Sequence, residues 1–171
     1  MAFHKRNRLE NYDYSTDGVY YLTICTDKRK QLLSRIVARG ILDAPETVLS
    51  PIGSKIEDAI LFLNQKWDTI SVHSYVIMPN HVHLLVEVRD AWNDSAEGAS
   101  RMPRATDAVI PRFVSALKRY TSRECRYELW QTSYYDHVIR DDRDYQVKWE
   151  YIANHPARWI EDEYYDEGGT E

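Results

Sequence analysis

The chain has 171 residues and a mass of 20.2 kDa, which suits one domain, and its 43% apolar and 29% charged residues are typical of a globular protein. It contains no apolar run long enough to span a membrane, no signal-peptide stretch at its start, and too few cysteines, Cys25 and Cys125, for a disulfide scaffold. The formal net charge of -5 argues at first against a nucleic-acid partner. We therefore expect a single-domain cytoplasmic protein with reduced thiols and no membrane partner.

The first part of the chain predicts an arm, a strand and a small hairpin. Residues 1–17 are polar and rich in Arg, Asn and Tyr, and we expect them to form an N-terminal arm. Residues 19–26 are rich in β-branched and aromatic types, which predicts a strand. Two short apolar segments, residues 36–38 and 47–49, predict a hairpin around an Arg-Gly turn.

A helix and two consecutive strands are predicted next. Apolar residues recur at helical spacing over residues 52–66, and Ser50 before Pro51 is a suitable cap for that helix. The segments 70–78 and 81–88 are strand-like and are joined by a Pro-Asn pair that favours a tight turn.

The remaining chain predicts a loop, two helices and a strand. Residues 89–107 are poor in apolar side chains and predict a surface loop. Residues 110–123 have the amphipathic pattern of a helix. Residues 130–139 predict a strand together with the segment that leads into it. Residues 141–154 predict a further helix, whose first residues are acids suited to its amino end. Residues 161–171 form an acidic tail.

The order of these elements predicts the fold class. Strand, helix, strand, strand, helix and strand, with a hairpin in the middle, is the split βαβ pattern of an α+β, ferredoxin-like antiparallel sheet. Helices are expected on one face of the sheet. The other face is then available for a ligand or for the added C-terminal helix.

The strongest local signal for chemistry is the pair His81 and His83. Side chains alternate along a strand, so both imidazoles project from one face and can converge on one metal ion. Two chance histidines on a solvent face are the competing interpretation, and the motif alone does not exclude it.

The last predicted helix supplies a second candidate pair. Tyr151 and His155 are four residues apart and therefore share one helical face. A tyrosine beside a metal-binding histidine is a usable nucleophile, although its ordinary pKa near 10 means that it needs a cation to help it at neutral pH. An ordinary aromatic residue of an amphipathic helix is the alternative in a chain with 13 tyrosines.

The charge distribution changes the interpretation of the net charge. The last eleven residues hold six acids and no base, and without them the chain carries 22 basic and 21 acidic side chains. Residues 101–126 contain seven basic residues and two acids. This stretch is either a solvated helix face or a face that contacts phosphates.

Three sequence blocks, taken together, resemble a known family. They are Tyr75-Val76-Ile77-Met78-Pro79-Asn80-His81-Val82-His83-Leu84-Leu85, Trp130-Gln131-Thr132-Ser133-Tyr134-Tyr135-Asp136-His137-Val138-Ile139-Arg140-Asp141 and Tyr151-Ile152-Ala153-Asn154-His155-Pro156-Ala157-Arg158-Trp159. The first resembles the histidine–hydrophobe–histidine (HUH) strand of the single-tyrosine, IS200-like transposases. The branch that the chain is similar to is the REP-associated tyrosine transposases.

The resemblance implies an activity and a set of site residues. It implies a metal-dependent endonuclease and transesterase that cuts and rejoins single-stranded or hairpin DNA at repeats through a 5′-phosphotyrosine link. Tyr151 matches the nucleophile, and His81 and His83 match the metal-binding pair. His155 stands where the family usually has Asn or Gln as a third ligand. The resemblance also places Arg112, Lys118 and Arg119 on a basic helix near DNA.

The sequence is compatible with more than one metal, assembly state and function. The resemblance implies Mg²⁺ or Mn²⁺, whereas three imidazoles would favour Zn²⁺, Mn²⁺ or Ni²⁺ over Mg²⁺. The protein is expected to be a monomer or a homodimer. A module of the same fold that binds hairpin DNA without cutting it is the alternative function, and a hydrolytic metalloenzyme that acts on a small substrate through His81, His83 and His155 is a third.

Overall fold

The computed structural model describes residues 17–38, 44–89 and 109–165. In that part of the chain a four-stranded antiparallel sheet has the strand order β4-β5-β1-β6, and β2 and β3 form a separate hairpin. The strands are β1 (Gly18–Cys25), β2 (Ser34–Val37), β3 (Glu46–Leu49), β4 (Ile70–Ile77), β5 (His81–Val88) and β6 (Tyr135–Val138). The helices are α1 (Pro51–Lys66), α2 (Val109–Cys125) and α3 (Asp142–Asn154), and a 3₁₀ segment (His155–Glu161) follows α3. The predicted ferredoxin-like α+β fold is confirmed.

The sheet separates two clusters of buried apolar side chains. Helices α1 and α2 cover one face, where Ile60, Phe113 and Leu117 pack against alternate residues of β1 and β5. On the opposite face the smaller cluster includes Ile152 of α3 and Trp159 of the 3₁₀ segment. The larger cluster contains most of the buried apolar side chains of the described residues, so its burial makes the larger hydrophobic contribution to stability.

Local signals account for the start of α1. The Ser50 side chain accepts a hydrogen bond from the backbone N–H of Gly53, and Pro51 occupies the first helical position, as the sequence predicts. Gly53 lies so close to the backbone of Leu33 that a Cβ atom there would meet the Leu33 carbonyl oxygen at 2.1 Å. This contact fixes α1 against the segment that leads into β2.

The strand predicted over residues 130–139 is shorter in the structure. Trp130 makes only an isolated bridge to Thr26, and regular pairing with β1 is confined to Tyr135–Val138. The ammonium group of Lys118 donates hydrogen bonds to the carbonyl oxygens of residues 131, 132 and 133. Because these carbonyls point toward α2, the segment before β6 is not part of the sheet.

Several predicted segments lie outside the described residues. These are the arm up to residue 16, most of the loop predicted for residues 89–107, and the end of the acidic tail from residue 166. None of the helices within the described ranges has the length and apolar content needed to cross a membrane.

Candidate metal centre and nucleophile

His81 and His83 lie next to each other on one face of the sheet, beneath α3. They alternate with Val82 and Leu84, which face the larger core on the other side. Both imidazoles are buried, with 0% and 1% exposure, and their Nε2 atoms are 3.0 Å apart. The period of a β-strand therefore brings the two nitrogen atoms together, as predicted.

Hydrogen bonds fix the orientation of both rings. The side-chain oxygen of Asn80 lies 2.8 Å from Nδ1 of His81. Nδ1 of His83 lies 2.7 Å from the hydroxyl of Tyr21 and 2.9 Å from that of Thr23. With each Nδ1 occupied in this way, both Nε2 atoms face the common centre.

His155 completes a cluster of three imidazoles. It follows the last residue of α3, is 2% exposed, and its ligand atom lies within 4.8 Å of those of His81 and His83. Within the described part of the chain, Nδ1 of His155 is buried and has no hydrogen-bond partner. Three convergent imidazoles, one of them with an unsatisfied nitrogen, are a donor set that fits a divalent metal ion.

The protonation of the pair suits metal binding. Burial lowers the pKa of His81 to about 3, although the carboxylate of Asp162 opposes this shift. Burial, followed by the neighbouring imidazoles, holds the pKa of His83 well below its ordinary value. Both rings are therefore neutral at physiological pH, which is the form that binds a metal.

Tyr151 lies beside the cluster on the last turn of α3. Its ring centroid is 4.6 Å from that of His155, 5.5 Å from that of His83 and 6.1 Å from that of Tyr21. The side chain is 37% exposed, so it borders both the buried cluster and the solvent. Burial, with the charges of Asp162 and Glu163, raises its pKa to about 12. The structure thus brings the predicted nucleophile and the three predicted ligands together, and their roles stay predictions.

The three predicted DNA-binding residues have different surroundings. The guanidinium of Arg112 lies 5.5 Å from the ring centroid of Trp67. The ammonium of Lys118 is held by the three backbone carbonyls described above, and burial lowers its pKa to about 8. Arg119 lines an open groove together with Lys118, Arg123 and Arg126, and it is the more exposed of the two neighbours. Of the three, Arg119 has the position best suited to contact phosphates.

Two contacts of the cluster were not predicted from the sequence: that of Asp162 with His155, and that of the turn residue Asn80 with His81. Asp162 belongs to the predicted acidic tail, yet its carboxylate is fully buried and accepts a hydrogen bond from Nε2 of His155 over 2.6 Å. Although burial opposes ionisation, hydrogen bonds from His155 and the Tyr164 backbone keep the pKa of Asp162 below its ordinary value. The Tyr164 ring lies 4.7 Å from His81, so this segment covers the cluster. An acid in an acidic run gives no sequence signal for such a position.

Comparisons with known proteins identify relatives of this chain. No protein-family model matches it. It is 26% identical over 178 residues to an uncharacterised protein of Haemophilus influenzae, covering 95% of this chain and 93% of the relative. It is 22% identical over 153 residues to a second protein of that organism, named "Putative REP-associated tyrosine transposase", covering 88% of this chain and 77% of the relative.

A solved structure shares the fold. A REP-associated tyrosine transposase bound to a REP hairpin matches with a TM-score of 0.56 at 17% identity, covering 88% of this chain and 74% of that chain. At this identity the structural match supports the fold. Together with the named relative, it confirms the resemblance predicted from the three sequence blocks.

Proposed function

From the premise that this chain is a relative of the REP-associated tyrosine transposases, we propose that it is a metal-dependent DNA endonuclease and transesterase. Its substrate would be single-stranded DNA beside a hairpin, and it would act in the cytoplasm. The observation that carries this proposal is the position of Tyr151, whose ring borders His83 and His155 in a buried three-histidine cluster. A phosphodiester transfer needs a nucleophile, which the Tyr151 phenol would supply, and a metal site, which the three imidazoles would form. The exposed side of the Tyr151 ring would give the DNA access to both.

In the proposed reaction the phenol oxygen of Tyr151 forms a bond to the scissile phosphorus. The bond from phosphorus to the 3′ oxygen breaks, the phenol proton passes to water, and the departing 3′ oxygen becomes a hydroxyl. The product is a 5′-phosphotyrosine that preserves the energy of the phosphodiester. A 3′-hydroxyl can therefore attack it and restore the DNA backbone without ATP.

The raised pKa of Tyr151 means that the phenol needs help from the histidine cluster to react at neutral pH. A phenol with a pKa of about 12 is almost entirely protonated at neutral pH, so it is a poor nucleophile by itself. A divalent cation at His81, His83 and His155 would polarise the phosphate and stabilise the negative charge that develops on it. The neutral imidazoles would hold such an ion, and the exposed edge of the Tyr151 ring would admit the DNA strand.

The groove lined by Arg119, Arg123 and Arg126 is the surface that we propose for the DNA backbone. Residues 130–132 form part of its wall, and the backbone N–H of Gln131 donates to the carbonyl of Cys25 at the end of β1. Cys25 is the register partner of His81, so the groove reaches the end of the sheet that carries the cluster. Guanidinium groups suit this role because they bind phosphate through paired hydrogen bonds.

A covalent-adduct experiment tests the proposal. A labelled DNA hairpin with single-stranded flanks is incubated with the protein and Mn²⁺, and the products are separated under denaturing conditions. We expect a labelled protein–DNA band with the wild type and none with Tyr151→Phe. Tyr145→Phe is the matched control, because Tyr145 lies on the same helix and bonds to His73 on the neighbouring part of the sheet. An adduct that persists in Tyr151→Phe contradicts the assignment of the nucleophile.

A non-cleaving hairpin-binding module of the same fold is the second candidate. The observation that favours it is the burial of all three imidazoles beneath Trp159 and Tyr164, which leaves 2% or less of each exposed. This candidate predicts tight binding of the hairpin but no adduct with Mg²⁺, Mn²⁺ or Co²⁺. An adduct that requires Tyr151 would exclude it.

A further inference from the structure

Arg126 has a backbone conformation that arginine rarely adopts. It directly follows α2, and its φ is 63°, in the left-handed region that favours glycine. Its N–H bonds to the carbonyl of Arg123, and the N–H of Tyr127 bonds to the carbonyl of Ser122. This pair of hydrogen bonds is the Schellman motif that ends many helices, and the left-handed residue of that motif is usually glycine. An arginine at this position therefore makes the fold less stable than glycine would.

The side chain of Arg126 lies on a ridge between two grooves. Arg123, Arg126 and Tyr127, which we call the arginine ridge, are exposed and line both an open groove of about 940 Å³ and a second of about 670 Å³. Among the described residues, Arg119 lines the first groove alone, which is the groove proposed above for the DNA backbone, and Lys55 lines the second alone. Each side of the ridge therefore has a further cation of its own.

Basic side chains predominate in both grooves. Among the described residues that line them, the first groove has four basic residues and one acid, Glu128, and the second has three basic residues and one acid, Glu124. The carboxylate of Glu124 lies 3.8 Å from the guanidinium of Arg123, which offsets part of its charge. A single DNA strand has one chain of phosphates and needs one such groove. A duplex has two chains of phosphates, one on each side of its minor groove.

The shape of the ridge suits the minor groove of a DNA duplex. The major groove of B-DNA is about 12 Å wide and admits a whole helix, whereas the minor groove is about 6 Å wide and admits side chains. Arginine enters the minor groove readily because the narrow groove concentrates negative potential. The arginine ridge consists of three side chains at the end of a helix, so its size fits the narrower groove.

We propose that the arginine ridge enters the minor groove of a hairpin stem, with Arg126 in the groove and one phosphate backbone in each of the two grooves of the protein. This assignment deepens the proposed function and rests on it for DNA as the ligand. Arg119 contacts the backbone that continues into the single-stranded flank. Lys55 contacts the other backbone, which an unpaired strand does not have. Arginine at the left-handed position lowers stability and strengthens binding of the stem.

Glycine substitution separates these two effects of Arg126. The control is Lys28→Gly, because Lys28 is also an exposed basic residue with a positive φ, 52°, and is not among the described residues that line either groove. We expect the melting temperature to rise by about 2–4 °C in both variants, because each removes left-handed strain. The dissociation constant for a DNA hairpin, measured by fluorescence anisotropy, should rise at least tenfold in Arg126→Gly and stay within twofold of the wild type in Lys28→Gly. Unchanged hairpin affinity in a folded Arg126→Gly protein would overturn the proposal.

A substitution in the second groove tests whether two backbones are bound. Lys55→Gln removes a charge that lines this groove and keeps an N–H donor for the carbonyl of Glu124, to which Lys55 donates. We expect the slope of log K against log salt to fall by about 0.9 for the hairpin and to stay unchanged for an oligothymidine strand of equal length. Equal decreases for the two ligands, or no decrease for the hairpin, would refute binding of a second backbone.

The base pairs of the stem show which groove of the duplex is occupied. Replacing guanine by inosine removes the amino group from the minor groove and leaves the major-groove edge unchanged. We expect the wild type to bind the inosine-containing stem at least threefold more tightly than the guanine-containing stem. Arg126→Gly should bind both stems equally. A wild-type protein that does not distinguish the two stems would contradict entry into the minor groove.

These measurements are made without a divalent ion and do not require cleavage. Stem binding that depends on Arg126 and Lys55, in a protein that forms no covalent adduct, would support this inference and contradict the proposed endonuclease. Adduct formation by a protein whose hairpin affinity is the same in Arg126→Gly and Lys55→Gln would support the endonuclease and contradict this inference.

Discussion

The side chain of Asn80 accepts a hydrogen bond from Nδ1 of its neighbour His81 over 2.8 Å, and neither residue is exposed. The amide group is itself fixed, because its nitrogen donates to the carbonyl oxygens of Arg29 and Tyr164. A residue of the turn between β4 and β5 therefore sets the tautomer of the first histidine on β5. It also connects that histidine to the C-terminal segment.

Replacing Asn80 by Ala is expected to weaken metal binding without unfolding the protein. Loss of the acceptor allows the His81 proton to move to Nε2, which then has no lone pair for a ligand bond. Partners of this kind typically account for about 10–100-fold in metal affinity. Calorimetric titration with Mn²⁺ measures the change. Asn64→Ala is the control, since Asn64 also bonds a strand backbone, at Val72, but lies away from the cluster. Equal loss of affinity in both variants would contradict a specific role for Asn80.

Local patterns were sufficient to predict most of the fold. The apolar spacing and the Ser50 cap predict α1, and the alternation of side chains in β5 predicts that His81 and His83 share one face. Both predictions succeed because they depend only on residues that are close together in sequence. The strand predicted over residues 130–139 is longer than β6, because Lys118 of α2 holds the carbonyls of residues 131, 132 and 133, and this contact is between two different elements. Tertiary contacts of this type leave no periodic signal.

The cluster was only partly predictable for the same reason. His155 was predicted as a ligand from its four-residue spacing from Tyr151 and from the family resemblance. Asp162 is one of six acids in the last eleven residues, and it enters the site by way of a 3₁₀ segment whose direction cannot be inferred from hydrophobic spacing. Its burial depends on hydrogen bonds that exist only when the C-terminal segment is folded against the sheet.

Arg119 and Lys118 are neighbours in sequence, but different effects are expected when each is replaced. Arg119→Ala removes a guanidinium from the open groove and should weaken binding of single-stranded DNA, reducing the slope of log K against log salt by about 0.7 for one phosphate contact. Thermal stability should be unchanged. Fluorescence anisotropy at several salt concentrations measures the slope. An unchanged slope would show that Arg119 does not contact the backbone.

Lys118→Met is expected to reduce stability more than DNA affinity. The substitution leaves the partly buried carbonyl oxygen of Gln131 without its donor, which costs about 1–3 kcal/mol, whereas the exposed carbonyls of residues 132 and 133 can bond to water. Urea denaturation measures the free energy of unfolding. If stability is retained while the salt slope falls, Lys118 contacts phosphate instead, and the predicted structural role is wrong.

Gly53→Ala is expected to destabilise the protein, although alanine normally favours a helix over glycine by about 1 kcal/mol. The added Cβ would lie 2.1 Å from the backbone oxygen of Leu33, and backbone cannot move aside as a flexible side chain can. We expect a loss of about 1–3 kcal/mol in the free energy of unfolding. Ser54→Ala, at the next and exposed position of the helix, is the control and should change stability little. A Gly53→Ala protein as stable as the wild type would mean that α1 and the segment before β2 separate at low cost.

The hydroxyl of Tyr75 on β4 donates a hydrogen bond to the carboxylate of Glu57 on α1 over 2.9 Å, which gives stability a dependence on alkaline pH. Burial and this hydrogen bond raise the pKa of Tyr75 to about 12. In the unfolded chain the phenol ionises near pH 10, so the contribution of Tyr75 is complete below pH 10 and is lost as the pH rises toward 12. The difference in unfolding free energy between wild type and Tyr75→Phe should therefore be constant from pH 7 to 9 and decrease above pH 10. Urea denaturation across this range measures it, and a difference that stays constant or grows above pH 10 would contradict the role of the Glu57 contact.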